Sequence, residues 1–216
     1  MRHQWMWIAM LALVGAAPAA AQYQSTPKWE FSPFVGYETS GSFPINNAAT
    51  PFTVDRLRAN EGLSYGAFVD YSFSDSFQFE TMWTRNSTSF SERNGITGIY
   101  TRAFDSDIDL YQFGVLFMFR SPEAKLRPYA AGGIGFSHQF NSGATPNRTD
   151  FSFGMGGGVK YYATNHFGFR GDIRYVPAYA NSTPGVYCDQ FGFCYPANLP
   201  NYLNRVNFTG GLLFRF

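Results

Sequence analysis

Along most of the chain, apolar and polar residues take turns at every second position. That is the period of a strand with two different environments on its faces. Eight segments follow it, at about 28–39, 61–73, 77–86, 108–119, 126–140, 151–163, 167–176 and 205–216. In the first, Trp29, Phe31, Val35 and Tyr37 share one face. Glu30, Ser32, Gly36 and Glu38 share the other, with Phe34 as an intruder. The second sets Leu63, Tyr65, Val69, Tyr71 and Phe73 against Ser64, Gly66, Asp70 and Ser72, with Phe68 out of place. The third opposes Phe77, Phe79 and Trp83 to Gln78, Glu80 and Thr84.

The fourth puts Tyr111, Phe113, Val115, Phe117 and Phe119 in phase, but its other face is less polar. The fifth is Gly-rich and its phase cannot be read. The sixth opposes Phe153, Met155, Val159 and Tyr161 to Ser152, Gly154, Gly156, Gly158 and Lys160. The seventh sets Phe167, Phe169, Ile173 and Tyr175 against Arg170, Asp172 and Arg174. The last has Val206, Phe208, Leu212, Phe214 and Phe216 in phase. Pro33 and Pro128 each remove a ladder donor, so irregularities are expected there.

The connections alternate in length. Those at 74–76, 121–125 and 164–166 are short. Those at 40–60, 87–107, 141–150 and 177–204 are long and turn-rich. Strands of about ten residues, with short turns at one end and long loops at the other, predict an all-β, eight-stranded antiparallel up-and-down transmembrane β-barrel.

Alternation alone does not separate that barrel from a soluble, ligand-carrying one, whose apolar face looks inward. Bulk and charge do. The apolar faces carry too many large rings for a small barrel's interior. The opposite faces are rich in Gly and Ser and carry both signs of charge: Glu30, Glu38, Asp70, Glu80, Lys160, Arg170, Asp172 and Arg174. Buried charges cost several kcal/mol unless paired. These groups are therefore expected to form a charge network in the lumen, with Glu30, Asp70, Glu80, Lys160, Arg170, Asp172 and Arg174 as its members of choice.

Composition narrows the picture further. Aromatic residues make up 19% of the 216 and charged residues only 14%, against about 25% charged in an ordinary soluble domain. Residues 1–21 read as a signal peptide, with Arg2 and His3, an apolar run from Trp5 to Val14, and Ala19-Ala20-Ala21. Residues 22–216 then form the barrel domain, with fifteen basic and fifteen acidic residues. No basic excess favours nucleic acid.

Cys188 and Cys194 are the only cysteines. In an exported chain they read as one disulfide, because no clustered ligands complete a metal site. No motif calls for a cofactor.

His138 is the most tempting catalytic candidate. Ser142 would share its strand face at about 13 Å, too far for proton transfer, and Ser137 points to the opposite face. A His near the polar rim is the better reading. Arg170, Asp172 and Arg174 could line a narrow conduction path, but small barrels are only wide enough for side chains to fill. A plugged lumen is preferred.

The final strand, VNFTGGLLFRF, resembles the C-terminal recognition signal of bacterial outer-membrane proteins, with Thr209, Gly211, Phe214 and Phe216 in the signal positions. FSPFVGY, RPYAAGGIGF, FGMGGGVKYY and FGFRGDIRYVPAY together resemble the OmpA/OmpX-like small-barrel superfamily and its "outer membrane protein β-barrel domain" proteins. The resemblance implies the outer membrane, a lipid surround and the barrel assembly machinery as a partner in biogenesis. It implies little about activity, since such barrels include scaffolds, adhesins and enzymes. The expected role is non-enzymatic, structural or in surface contact through the long loops, with an unknown loop partner. The alternatives are a narrow pore, a lipid A-modifying enzyme or a secreted soluble barrel.

Overall fold

The computed structural model describes residues 27–44, 54–142, 147–179, 185–188, 194–197 and 202–216. The signal-peptide expectation lies outside them.

Eight long strands form the wall: β1 (Trp29–Ser40), β2 (Gly62–Ser72), β3 (Phe77–Asn94), β4 (Tyr100–Met118), β5 (Leu126–Asn141), β6 (Arg148–Tyr162), β7 (Phe167–Tyr175) and β8 (Arg205–Arg215). Each pairs antiparallel with its neighbours in sequence, and β1 pairs with β8, so the sheet closes on itself. Trp29 and Phe216 exchange backbone hydrogen bonds of 3.1 and 3.0 Å at one end of that seam. The ladder from β1 to β8 skips Ser32 and Pro33, where the proline has no donor to give.

Short turns gather at one end. Two of them repeat one device: the Ser74 hydroxyl accepts from the Phe77 amide at 3.1 Å, and the Thr164 hydroxyl from the Phe167 amide at 3.0 Å.

The opposite end differs from expectation. The segment 87–107, read from sequence as a loop, is almost all strand. β3 and β4 run past the barrel as a paired hairpin from Ser87–Asp107 to Arg93–Tyr100. Val54–Ala59 adds to the β3 side of the hairpin, and Ser42–Pro44 adds to Val54–Ala59. Phe90 is buried there and stacks on Phe104 at 4.8 Å, but the residues around that pair are mostly Ser, Thr and charged, so the sequence carries little apolar contrast to reveal the extension. In the segment 177–204, Ala178–Tyr179 pairs with β6 and with Tyr202–Leu203, while Gly185–Cys188 and Cys194–Ala197 form a separate ribbon.

The wall is inside out relative to a soluble barrel. Trp29, Tyr65, Phe79, Phe113, Phe151, Phe169 and Phe208 are all exposed on the exterior. Glu30, Asp70, Glu80, Lys160, Arg170 and Asp172 are buried in the interior. The fifth strand has a clear phase after all: Arg127, Tyr129, Ala131 and Ser137 face in, while Leu126, Ile134, Phe136 and Phe140 face out.

Interior glycines make room for the large side chains. A Cβ on Gly158 would stand 2.6 Å from the Tyr129 hydroxyl, and one on Gly66 would stand 2.8 Å from Phe34 Cζ. The intruders Phe34 and Phe68 do face inward, with ring centroids 4.6 Å apart. They join Met82, Leu110 and Val176 in an apolar cluster, and Leu116, Met118, Tyr129 and Ala131 form a second one.

Candidate functional site: the charge network of the lumen

The interior positions of β1, β2, β3, β6, β7 and β8 aim their charges at one another across the barrel. The first tier centres on Lys160, which is fully buried. Its Nζ donates to Glu30 at 2.6 Å, Asp70 at 2.6 Å and Gln78 at 2.7 Å. Three acceptors use up the three protons of an ammonium group. Glu30 also accepts from the Tyr162 hydroxyl at 2.9 Å and pairs with Arg215 at 3.2 Å.

The second tier centres on Arg170. Its Nη1 donates to Asp70 at 3.0 Å, its Nη2 to Glu80, and its Nε to the Tyr129 hydroxyl at 2.9 Å. Tyr129 in turn donates to Asp172 at 2.5 Å. Arg174 grips the same two acids, Asp172 through Nε at 2.8 Å and Glu80 through Nη1 at 2.5 Å. The Arg170 guanidinium lies 3.6 Å from the Phe68 ring centroid. An aromatic face is a favourable neighbour for a desolvated cation. Phe68 thus joins the apolar cluster to the charged one.

Asp70 Oδ2 belongs to both tiers, so the two form one network. Among the described residues it contains four acids (Glu30, Asp70, Glu80, Asp172) and four bases (Lys160, Arg170, Arg174, Arg215). Formal charge cancels within it. Breaking such a pair by removing one partner costs about 3–5 kcal/mol, because the other charge is left buried.

Glu30, Asp70, Glu80, Lys160, Arg170, Asp172 and Arg174 lie in this network, whereas Glu38 stands apart beside Arg205. Sequence reasoning missed Tyr129, Tyr162, Gln78 and Arg215 as its members. Parity was the available signal: Tyr162 stands two positions from Lys160, and Arg215 shares the inward phase of β8 with Gly211. Tyr129 was hidden by the unread phase of β5.

Nearer the long loops, Arg205 is buried, 3.5 Å from Glu38, and donates to the Ser137 hydroxyl at 2.9 Å. Sequence reasoning had not placed Arg205.

His138 faces outward. Its Nδ1 lies 2.6 Å from the Thr149 hydroxyl, and its ring centroid is 4.3 Å from that of Phe140. Ser137 points into the lumen, and Ser142 binds Asp105. These hydroxyls are engaged away from the imidazole.

Thr209 and Gly211 take interior positions of β8. Phe214 sits on the outer wall against Phe167, with ring centroids 5.7 Å apart, and Phe216 is exposed. Cys188 and Cys194 stand directly opposite each other in the backbone register of their ribbon. Their side chains lie outside the described ones. Among the described residues, no group of three His, Cys, Asp or Glu side chains is placed to hold a metal ion.

Comparison with known proteins agrees with this geometry. A family model described as "Outer membrane protein beta-barrel domain" matches residues 8–212. No curated protein matches the sequence. OprG from Pseudomonas aeruginosa superposes with a TM-score of 0.61 at 12% identity, over 90% of this chain and 99% of that one. Neisserial surface protein A gives 0.59 at 12% identity, over 87% and 97%. AlkL, solved by solid-state NMR in DMPC lipid bilayers, gives 0.56 at 16% identity, over 93% and 95%. At these identities the likeness is one of fold.

Proposed function

The chain belongs to the outer membrane protein beta-barrel domain family, and from that premise we propose a non-enzymatic barrel that holds its lumen shut and makes surface contacts through its loop-side hairpins. Its place is the outer membrane. The observation that carries the proposal is the bridging of the lumen by Lys160 and Arg170. Lys160 on β6 bonds to β1, β2 and β3, and Arg170 on β7 bonds to β2 and β3, all by side chains across the interior. An ion crossing this section must separate buried, paired charges, at several kcal/mol each.

What rises above the barrel is a set of paired strands with many exposed polar residues and, at the hairpin tip, exposed Ile96 and Ile99. Binding surfaces are commonly built this way, on loops carried by a stiff scaffold. We also propose that Cys188 and Cys194 form a disulfide. Directly opposed residues of antiparallel strands have Cα atoms about 4.5–5.5 Å apart, within the range a disulfide spans.

Planar-bilayer recording tests the closed lumen. The wild-type barrel is expected to be electrically silent across the voltage range. Steady single-channel steps would replace this reading with that of a narrow pore. Attachment assays test the second half: cells carrying a barrel with 91–102 replaced by a two-residue turn should lose any surface contact that the full-length protein confers.

A further inference from the structure

The lumen is layered, and three strands give the same order. Along β1, Glu30 belongs to the charge network, Phe34 to the apolar cluster, and Glu38 lies beyond both beside Arg205. Along β2 the order is Asp70, Phe68, Ser64, and along β3 it is Glu80, Met82, Asn86. A charged plug, an apolar layer and a second polar section thus follow one another from the short turns toward the long loops. Arg205 stands at the far end of the second polar section, on the last rung of the β1–β8 ladder opposite Ser40.

The two polar sections are satisfied to different degrees. In the plug, every side-chain nitrogen of Lys160, Arg170 and Arg174 has an acceptor. Arg205 is buried as deeply, at 2% exposed. Among the described residues its guanidinium donates one hydrogen bond, from Nη2 to Ser137 at 2.9 Å. Nη1 stands 3.5 Å from Glu38, longer than a charge-assisted hydrogen bond, and Nε has no acceptor. In the same section Asn207 Nδ2, Asn86 Oδ1, Thr84 Oγ1 and Ser106 Oγ are buried without partners.

A buried polar group left unpaired keeps its full desolvation cost. This section is therefore stabilised by any small group that can pair with what is left over. The leftover atoms include donors, Arg205 Nε and Asn207 Nδ2, and an acceptor, Asn86 Oδ1. Arg205 and Glu38 cancel in formal charge, so neither a cation nor an anion is selected. Water donates and accepts alike and meets both demands. The plug cannot relax to admit it, because its cations are gripped from several strands. Arg205 can, because it is weakly held at the loop-side mouth and its long stem can carry the charged head outward.

We propose that Arg205 is a latch. When its guanidinium turns toward the loops, water enters the section lined by Glu38, Asn86 and Asn207. It stops at Phe34, Phe68, Met82, Leu110 and Val176, which offer it no partner. The barrel then works as a cup, open to the outside above a closed floor. The proposal rests on the closed lumen proposed above and divides it into a hydrating part and a sealed one.

The test places the full-length barrel, labelled with ¹⁵N-arginine, in phosphatidylcholine bilayers and measures by NMR how fast each arginine Nε–H exchanges with water. The Arg205 proton should exchange roughly tenfold faster or more than those of Arg170 and Arg174, as expected of a local opening. A second measurement locates the floor. Ser137→Cys lies beside Arg205, whereas Ala131→Cys lies deeper on the same strand, in the other apolar cluster. A membrane-impermeant methanethiosulfonate sulfonate is added from the loop side, and its label is located by peptide mass. Ser137→Cys should react at least about tenfold faster, with unchanged heat-modifiable mobility showing that both variants have folded.

An Arg205 proton as slow as that of Arg170 overturns the proposal. So does equal behaviour of the two cysteines, whether both react or neither does. Single-channel steps from the wild-type barrel would remove the floor and the closed-lumen reading together. Silent bilayers with a slow Arg205 proton remove the latch and leave the closed lumen standing.

Discussion

Lys160 Nζ lies 2.6 Å from Asp70 Oδ2, the same oxygen that Arg170 Nη1 reaches at 3.0 Å. One carboxylate oxygen thus joins the two tiers of the lumen. Strands far apart around the wall meet there, so the network ties β2 to both β6 and β7. Asp70 has its second oxygen buried without a partner, which makes its two cations all the more necessary.

Lys160→Met should therefore destabilise the barrel by about 3 kcal/mol or more, since Glu30 and Asp70 lose a shared cation inside the wall. Urea unfolding from lipid vesicles, read by heat-modifiable mobility, measures it. Adding Asp70→Asn should recover at least ~1 kcal/mol by restoring charge balance. A single variant within ~0.5 kcal/mol of wild type would mean that the network carries little of the fold's stability.

Glycine substitutions separate the two sides of the wall. A Cβ on Gly158 meets the Tyr129 hydroxyl at 2.6 Å and the Gly171 carbonyl at 2.1 Å, whereas one on Gly210 meets nothing within 4 Å. Gly158→Ala should cost about 1–3 kcal/mol through overpacking. Gly210→Ala should stay within about 0.5 kcal/mol of wild type. Equal effects would argue against a packed lumen on the Tyr129 side.

The period-two pattern revealed most strands because hydrocarbon and lumen impose opposite demands on alternate residues. Where that contrast disappears, so does the signal. In β5 the run Ala130-Ala131-Gly132-Gly133 places small residues on both faces, so neither face declares itself. In the hairpin extension Ser87, Ser89 and Ser91 alternate with Thr88 and Phe90, and a register shift at Phe90/Ser91, both buried, breaks the period of two. β4 was ambiguous for another reason: Leu110, Leu116 and Met118 face inward and pack in apolar clusters of the lumen. The interior charges were legible by parity, but which acid meets which base was not. That depends on how strands distant in sequence are brought round the barrel.

The Cys188–Cys194 register makes a simple chemical prediction. Protein extracted from outer membranes under denaturing, non-reducing conditions should resist alkylation at both cysteines, and each should take one label after reduction. Free thiols before reduction would remove the proposed disulfide, whereas the barrel strands, which pair elsewhere, should keep their heat-modifiable shift in either case.

Phe169 and Arg170 are adjacent, yet one is 48% exposed and the other 3%. An arginine is thus built into the wall one residue away from a position where an arginine should be costly. Phe169→Arg would place a cation against hydrocarbon with no partner in reach, where the penalty is about 2 kcal/mol, depending on depth. Phe169→Leu keeps the surface apolar and should change stability by less than ~1.5 kcal/mol. Arg170→Leu removes a cation from Asp70, Glu80 and Asp172 and should cost about 3 kcal/mol or more. Leucine is therefore tolerated on the outer side and harmful on the inner side of the same strand, and vesicle unfolding of the three variants measures the difference. If Phe169→Arg proved harmless while Phe169→Leu destabilised, the outer face of β7 would not be in lipid.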